Sequence, residues 1–231
     1  MERALTSRDD ITVVGAGPSG LACAIVLAGA GRRVTVREWH SDVGHRFHDD
    51  FQGLENWSHA SDVLEEMRAV GIATDFELHP FDSGTVFDPS GRRYPVRGKR
   101  PLFYLVRRGR EAGTLDRALL DQARAAGAEV RFNDRVQGMD GKAVLATGPR
   151  KAGIIAVGHV FETDMPDGAW LALGHRLAPG GYAYLLVQGG RGTVASCLFT
   201  GFRDQAKYLA ATEEFFTHNA GLQMRDPRPF G

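Results

Sequence analysis

The chain has 231 residues, enough for one large or two small domains and a sizeable core. Its 28 basic and 28 acidic residues cancel, so no whole-chain field points to nucleic acid. No apolar run approaches the roughly 20 residues of a membrane span. The opening "MERALTSRDD" reads as lacking a leader's apolar core, and the two cysteines, Cys23 and Cys197, form neither a disulfide framework nor a metal spacing. The expected compartment is a reducing cytoplasm.

In chain order, "DITVVGAG" predicts a buried strand ending at glycine. "PSGLACAIVLAGAG" predicts a helix, with Pro18 in its first turn and Gly31 just past its end. "RRVTVRE" is a second strand, completing a strand-helix-strand unit of about 30 residues, the length of a parallel crossover. "SDVLEEMRAVG" reads as a helix capped by Ser61, and "TVFDPSGRRYPV" as a hairpin around the turn Asp88-Pro89-Ser90-Gly91. "LFYLVRR" is a further strand. "TLDRALLDQARAAG" is an amphipathic helix with Leu115, Ala118, Leu119 and Ala123 on its apolar stripe. "AEVRF" and "KAVLATG" supply more strands.

From Trp170 the texture changes. "AWLALGHRL", "GGYAYLLVQGG" and "RGTVASCLFTGF" are extended runs between glycine-rich turns, the pattern of an antiparallel meander. "DQAKYLAATEEFFTHNAG" is a last helix with Asp204 as its cap, and "RDPRPFG" carries no predicted element. With about four parallel candidates against the five or six of a full doubly wound sheet, the C-terminal part of the fold is expected to be missing.

Gly15-x-Gly17-x-x-Gly20 comes directly after the first strand and opens the first helix. Gly15 permits the tight turn, Gly17 lets a pyrophosphate approach the backbone, and Gly20 lets helix and strand pack closely. Pro18 and Ser19 complete a helix N-terminus whose amides and dipole attract an anion. Glu38 closes the second strand eighteen residues past Gly20. There a carboxylate accepts from both ribose hydroxyls and repels a 2′-phosphate. The turn is read as holding an ADP-ribose pyrophosphate, which FAD and NAD share.

The residues beyond Glu38 separate the two cofactors. An NAD dehydrogenase continues with crossovers, whereas this chain runs through "REWHSDVGHRFHDDFQGLENWS", the hairpin, "YLVRRGREAGTLDRALLDQARAAGAEVRF" and "AVLATGPR". From about Asp10 to about Asn219 it resembles the FAD-dependent oxidoreductases of the aromatic-hydroxylase fold, and within them the geranylgeranyl reductase group. The resemblance implies an α/β fold in which a Rossmann-like FAD-binding domain with a parallel sheet (residues 1–78 and 101–160) carries an inserted antiparallel β substrate domain (79–100 and 161–231). It implies that Gly15, Gly17, Pro18, Ser19 and Gly20 lie on the FAD pyrophosphate and Glu38 on the adenosine ribose. It further implies Arg46 near the FAD, Arg108 on the flavin with Arg107 as rival, Val136 at the adenine, and Thr147 and Gly148 where the chain returns to the cofactor.

The chain departs from the family in three places. Thr147-Gly148 stands where the hydroxylases carry Asp-Gly. The reductases' "YxWxFP"-like segment is Tyr182-Ala183-Tyr184-Leu185-Leu186-Val187. The second FAD motif, a Gly-Asp pair, is absent, which bears on the hold over the flavin ring.

In a flavoenzyme the chemistry is mainly the flavin's, and no Ser-His-Asp or paired-carboxylate pattern competes with it. No catalytic residue is assigned. Tyr182 and Tyr184, two apart on one strand face, are candidate substrate contacts or else ordinary sheet packing. His40, His45, His48 and His59 with Asp49 and Asp50 fit no zinc spacing, and no metal is expected. Cys23 is read as helix packing.

Arg92, Arg93, Arg97, Lys99, Arg100, Arg107, Arg108 and Arg110 fall within residues 92–110 without an intervening acid. This segment is either a solvated hairpin edge whose charge discourages aggregation, or an attractor for an anionic substrate, NAD(P)H or a membrane surface. Nucleic acid fits least, since no binding motif accompanies the charge.

The expected function is an FAD-dependent oxidoreductase that takes electrons from an external donor, with NAD(P)H a candidate. It passes a hydride to a small-molecule or lipid-like substrate, an isoprenoid double bond being one candidate. A flavin monooxygenase and a non-catalytic nucleotide-binding module are the alternatives.

Overall fold

The computed structural model describes residues 10–138, 141–149 and 153–231. Of the opening segment, in which no leader is expected, residues 1–9 lie outside the described residues. The chain divides into two compact units: Met1–Phe47, His59–Glu77 and Arg108–Arg150 form the first, and His48–Ser58, Leu78–Arg107 and Lys151–Gly231 the second.

The first unit is built on β1 (Asp10–Val14), α1 (Pro18–Gly29) and β2 (Arg33–Arg37), followed by α2 (Val63–Ala69), α3 (Leu115–Ala125), β8 (Glu129–Arg131) and β9 (Lys142–Leu145). Its strands are all parallel in the order β8-β2-β1-β9, the four expected. Alternation in β2 sends Val34 and Val36 inward beside Val13, all essentially unexposed. Helix α1 packs against α3. The buried stripe of α3 is Leu115, Leu119, Leu120 and Ala123, so Leu120 holds the place expected of the half-buried Ala118. Thr114 caps α3 by accepting from the Arg117 amide at 3.3 Å. Helix α2 is capped by Asp62, whose Oδ1 accepts from the Leu64 amide at 2.9 Å. Ser61, the expected cap, lies one residue too early and instead bonds the Glu66 carboxylate.

The second unit holds two sheets. The smaller has β7 (Phe103–Arg107) between β3 (Phe51–Glu55) and β4 (Leu78–Phe81), all antiparallel. The larger contains β5 (Ser83–Phe87), β6 (Arg93–Arg97), β10 (Ile155–Glu162), β11 (Gly168–Leu173), β12 (Tyr182–Gln188), β13 (Arg191–Leu198) and β14 (Arg225–Phe230). Its order is β14-β10-β13-β12-β11-β5-β6. The expected hairpin is β5-β6 and the expected meander is β11-β12-β13; β5 joins the meander by parallel pairing with β11. The final segment, for which no element was expected, is a strand: Arg225–Phe230 pairs antiparallel with β10. Pro227 and Pro229 hid it, since proline is compatible only with an edge strand.

Helix α4 (Gln205–Ala220) lies over the larger sheet. Phe216 is fully buried against Phe87 at 6.4 Å between ring centroids, in a core with Phe161, Leu185, Val187 and Val194. Truncating such a phenylalanine to alanine costs about 3–5 kcal/mol. The polar seam in this interface is satisfied internally: the hydroxyls of Ser196 and Thr212 share a hydrogen bond at 2.8 Å. Asp204 stands at the N-cap position of α4, but its side chain makes no capping hydrogen bond.

Candidate functional site: a dinucleotide cradle

The glycine turn sits at the C-terminal end of β1, the end at which open parallel sheets bind ligands. Each glycine has its own reason. Gly15 takes φ +108°, and a Cβ there would lie 2.4 Å from the Ala146 carbonyl oxygen. A Cβ on Gly20 would lie 2.0 Å from the Gly15 carbonyl oxygen. Gly17 differs from both: its φ is an ordinary −75° and a Cβ would meet nothing within 4 Å. Packing therefore explains Gly15 and Gly20, and the open space outside the backbone is left to explain Gly17. No side chain caps α1, so its first turn faces that space with free donor capacity.

Glu38 ties this turn to the end of β2. Its Oε2 accepts from the Ala16 amide at 2.7 Å and its Oε1 from the His40 amide at 2.8 Å. A carboxylate has about four acceptor positions, so two bonds to backbone leave room for two hydroxyls. The chain after β8 closes in alongside: the Asn133 amide donates to the His40 carbonyl and the Asp134 amide to the Glu38 carbonyl. Half-buried Val136 comes two residues later. Arg37 grips Asp134 with two bonds, 2.7 and 2.5 Å, and this pairing holds the Asp134 carboxyl below its usual range. Trp39, largely exposed, carries the Arg135 guanidinium 4.6 Å from its ring centre, and His40 stacks on His45 at 3.9 Å.

The other candidates divide. Ala146, at the end of β9, donates its amide to the Val14 carbonyl and touches Gly15, so the exposed Thr147 and Gly148 emerge beside the glycine turn. Arg46 is exposed in the turn closed by the Phe47 amide on the Gly44 carbonyl. Arg108 is committed: its guanidinium holds buried Asp116 through two bonds, 2.8 and 2.9 Å, and lies 3.9 Å from the Phe47 ring centre. Arg107 belongs to the second unit, where it pairs with Asp49 at 3.0 Å. Asp116 was missed in the sequence because it reads as an ordinary acidic residue in the first turn of a helix. Nothing in the sequence marks the Ala16 and His40 amides as partners of Glu38.

In the second unit Tyr182 and Tyr184 share one face of β12, with ring centres 6.4 Å apart. Tyr184 packs on the buried cluster of Phe51, Leu105 and Leu186, and burial drives its phenol well above the ordinary range. Tyr182 stands opposite Cys197 across the β12-β13 pair. Burial pushes Tyr182 up to about 12 and Cys197 up to about 11. Among the described residues no group of three or more His, Cys, Asp or Glu side chains is placed to hold a metal.

A parallel Rossmann-like unit, continued by a unit whose large, mainly antiparallel sheet is backed by a helix, is similar in fold to FAD-dependent oxidoreductases. Residues 13–62 match the family of NAD(P)-binding Rossmann-like domains. The chain is similar to the digeranylgeranylglycerophospholipid reductase of Haloferax volcanii, 26% identical across an alignment of 228 positions, gaps included, that takes in 80% of this chain and 52% of that one. Among solved structures it is similar to a geranylgeranyl bacteriochlorophyll reductase-like protein of Thermoplasma acidophilum (TM-score 0.69, 18% identity, 95% of this chain and 65% of that one). It is also similar to p-nitrophenol 4-monooxygenase of Pseudomonas putida (TM-score 0.64, 16% identity, 95% and 67%). The likeness in fold extends to FAD-dependent halogenases. The chain thus spans about half the length of the Haloferax reductase and 65% of the Thermoplasma protein.

Proposed function

We propose that this chain binds FAD and serves an oxidoreductase that reduces an organic substrate, with an isoprenoid carbon–carbon double bond as the leading candidate. The observation that carries the reading is Gly17, a glycine with ordinary backbone angles and empty space where its Cβ would be. A close-approaching ligand at the mouth of the turn accounts for it, and the uncapped α1 N-terminus favours an anion there. Glu38, held at 2.7 Å on the Ala16 amide, would take the ribose hydroxyls. Val136 would lie at the adenine, and Thr147 and Gly148 where the chain returns to the cofactor. Exposed Arg46 would face the phosphates. When bound, the flavin supplies two-electron transfer between an external donor, NAD(P)H being the candidate, and the substrate.

The residues of this chain then have binding and exclusion to perform. Tyr182 and Tyr184 would present an apolar-flanked face carrying two phenol hydroxyls to a lipid-like substrate. A flavin monooxygenase is the second reading, favoured by the fold shared with the Pseudomonas enzyme. Cys23 and Cys197 are both free thiols, in keeping with a cytoplasmic site of action.

Titration of the purified protein with FAD, ADP and FMN tests the cradle. Binding of FAD and ADP without FMN is expected, and failure to bind either adenine nucleotide overturns the reading. Anaerobic saturation of a prenyl chain by the flavin-loaded protein supports the reductase, whereas substrate-dependent O₂ uptake supports the monooxygenase.

A further inference from the structure

A cavity of about 290 Å³ opens in the second unit, a size at the small end of ligand pockets. One wall is the large sheet. Register sets Val160 opposite both Thr193 and Arg228, and Glu162 opposite Arg191, so Val160, Glu162, Arg191 and Arg228 share one face. The other wall is the start of β3. The Phe51 amide donates to the Thr193 hydroxyl at 2.9 Å, which fixes Phe51, and Asp49 two residues before it, beside that face.

The floor is apolar: Phe51 and Val160 are both buried. The rim carries both signs of charge. Arg191 and Arg228 are exposed, and neither is ion-paired among the described residues; Arg191 stands directly opposite Glu162 without joining it. Asp49 takes left-handed backbone at φ 66°, and buried Arg107 donates to its Oδ1 at 3.0 Å, so its Oδ2 keeps acceptor capacity. Asp226, also on the rim, has φ 48°. These are two of the three non-glycine residues with left-handed backbone among the described residues, and both line this one cavity. Such backbone is uncommon away from glycine and gathers at ligand sites.

The charges name the ligand class. Asp49 already has Arg107 as its counterion, and nearby Arg225 is taken by Asp164. Two guanidinium groups, Arg191 and Arg228, and two carboxylates, Glu162 and Asp226, are left around an apolar floor. A simple anion or cation would satisfy one pair and face repulsion from the other. A dipolar ligand satisfies both: its carboxylate meets the guanidinium groups, its ammonium meets the acids, and an apolar side chain lies on Phe51 and Val160. We propose that this cavity binds a free α-amino acid with an apolar side chain. The cavity belongs wholly to the second unit and stands independently of the flavin reading.

Calorimetric titration of the full chain with L-phenylalanine, 3-phenylpropanoate and 2-phenylethylamine tests it. The second compound lacks the ammonium group and the third lacks the carboxylate. L-phenylalanine is expected to bind, and each truncated analogue at least about tenfold more weakly, the factor that one charge-assisted hydrogen bond supplies. Arg191→Gln with Arg228→Gln should lower the affinity for L-phenylalanine at least about tenfold. Asp226→Asn keeps a residue that tolerates left-handed backbone. It should weaken L-phenylalanine yet strengthen 3-phenylpropanoate, a crossing that damage to the fold does not produce. All three positions are exposed, and an unaltered circular dichroism spectrum checks each variant. Equal binding of 3-phenylpropanoate and L-phenylalanine would overturn the proposal, as would no binding of either L-phenylalanine or L-leucine. An equal loss from Arg203→Gln, at an exposed arginine outside the cavity, would overturn it too.

Discussion

The Glu38 carboxylate and the Ala16 amide, 22 residues apart in sequence, meet at 2.7 Å and make the glycine turn and the end of β2 one object. Glu38→Ala strands the Ala16 and His40 amides, and an unsatisfied donor costs about 1–3 kcal/mol. The expected result is a lower Tm and a loss of at least about tenfold in ADP affinity, since two bonds of about 1 kcal/mol each go with the carboxylate. Calorimetric titration with ADP reads the second effect, and unchanged affinity would remove Glu38 from the ribose.

Gly17 separates binding from folding. Its φ of −75° suits alanine and a Cβ there meets nothing, so Gly17→Ala should leave stability within about 0.5 kcal/mol of the parent, an exposed-site effect. ADP and FAD binding should fall sharply all the same. Gly15→Ala is the contrast: with φ +108° and the Ala146 oxygen 2.4 Å away, it should destabilise the unit itself. If Gly17→Ala binds ADP as the parent does, the open space has no ligand.

The β1-turn-α1-β2 unit was legible in the sequence because three glycines and an acid fall at spacings that covalent geometry imposes. The hairpin and meander were legible from turn residues and alternation. Phe51–Glu55 was not, since "FQGLE" has a glycine at its centre and little β-branched character. Leu78–Phe81 and Arg225–Phe230 were masked by prolines. Pairing partners were illegible throughout: the resemblance put Arg108 on the flavin, and nothing in the sequence marked Asp116 as its partner.

That pair yields a test of its own. Asp116 is 1% exposed and also accepts from the Gly109 amide, so Arg108→Ala leaves a buried charge without its counterion. Breaking such a pair costs about 3–5 kcal/mol. Arg108→Lys should recover only part, because an ammonium cannot make both bonds. Arg108→Met with Asp116→Leu should regain most of the stability. If this double variant also binds FAD normally, Arg108 is a positioning residue of the fold; lost FAD binding in the stable variant would make it a cofactor contact.

Cys197 predicts an alkaline limb. Burial raises its thiol to about 11 from the ordinary 9.0, so the unfolded chain ionises first as pH rises. Stability is therefore whole below about pH 9 and declines between about pH 9 and 11, by roughly 2 kcal/mol at the end of that window. Urea unfolding at stepped pH checks this: Cys197→Ala should remove the decline between about pH 9 and 10 and leave the part above it, which the raised Tyr182 and Tyr184 phenols supply. In native protein, iodoacetamide at pH 8 should label partly exposed Cys23 well before Cys197.

Both outer strands of the large sheet contain proline, Pro95 in β6 and Pro227 and Pro229 in β14. A proline nitrogen has no hydrogen to give, so on either flank an incoming strand would find carbonyl oxygens without their matching donors. The seven-stranded array is thus terminated chemically at both sides, and concentrated protein should resist growing by strand addition into fibrous assemblies.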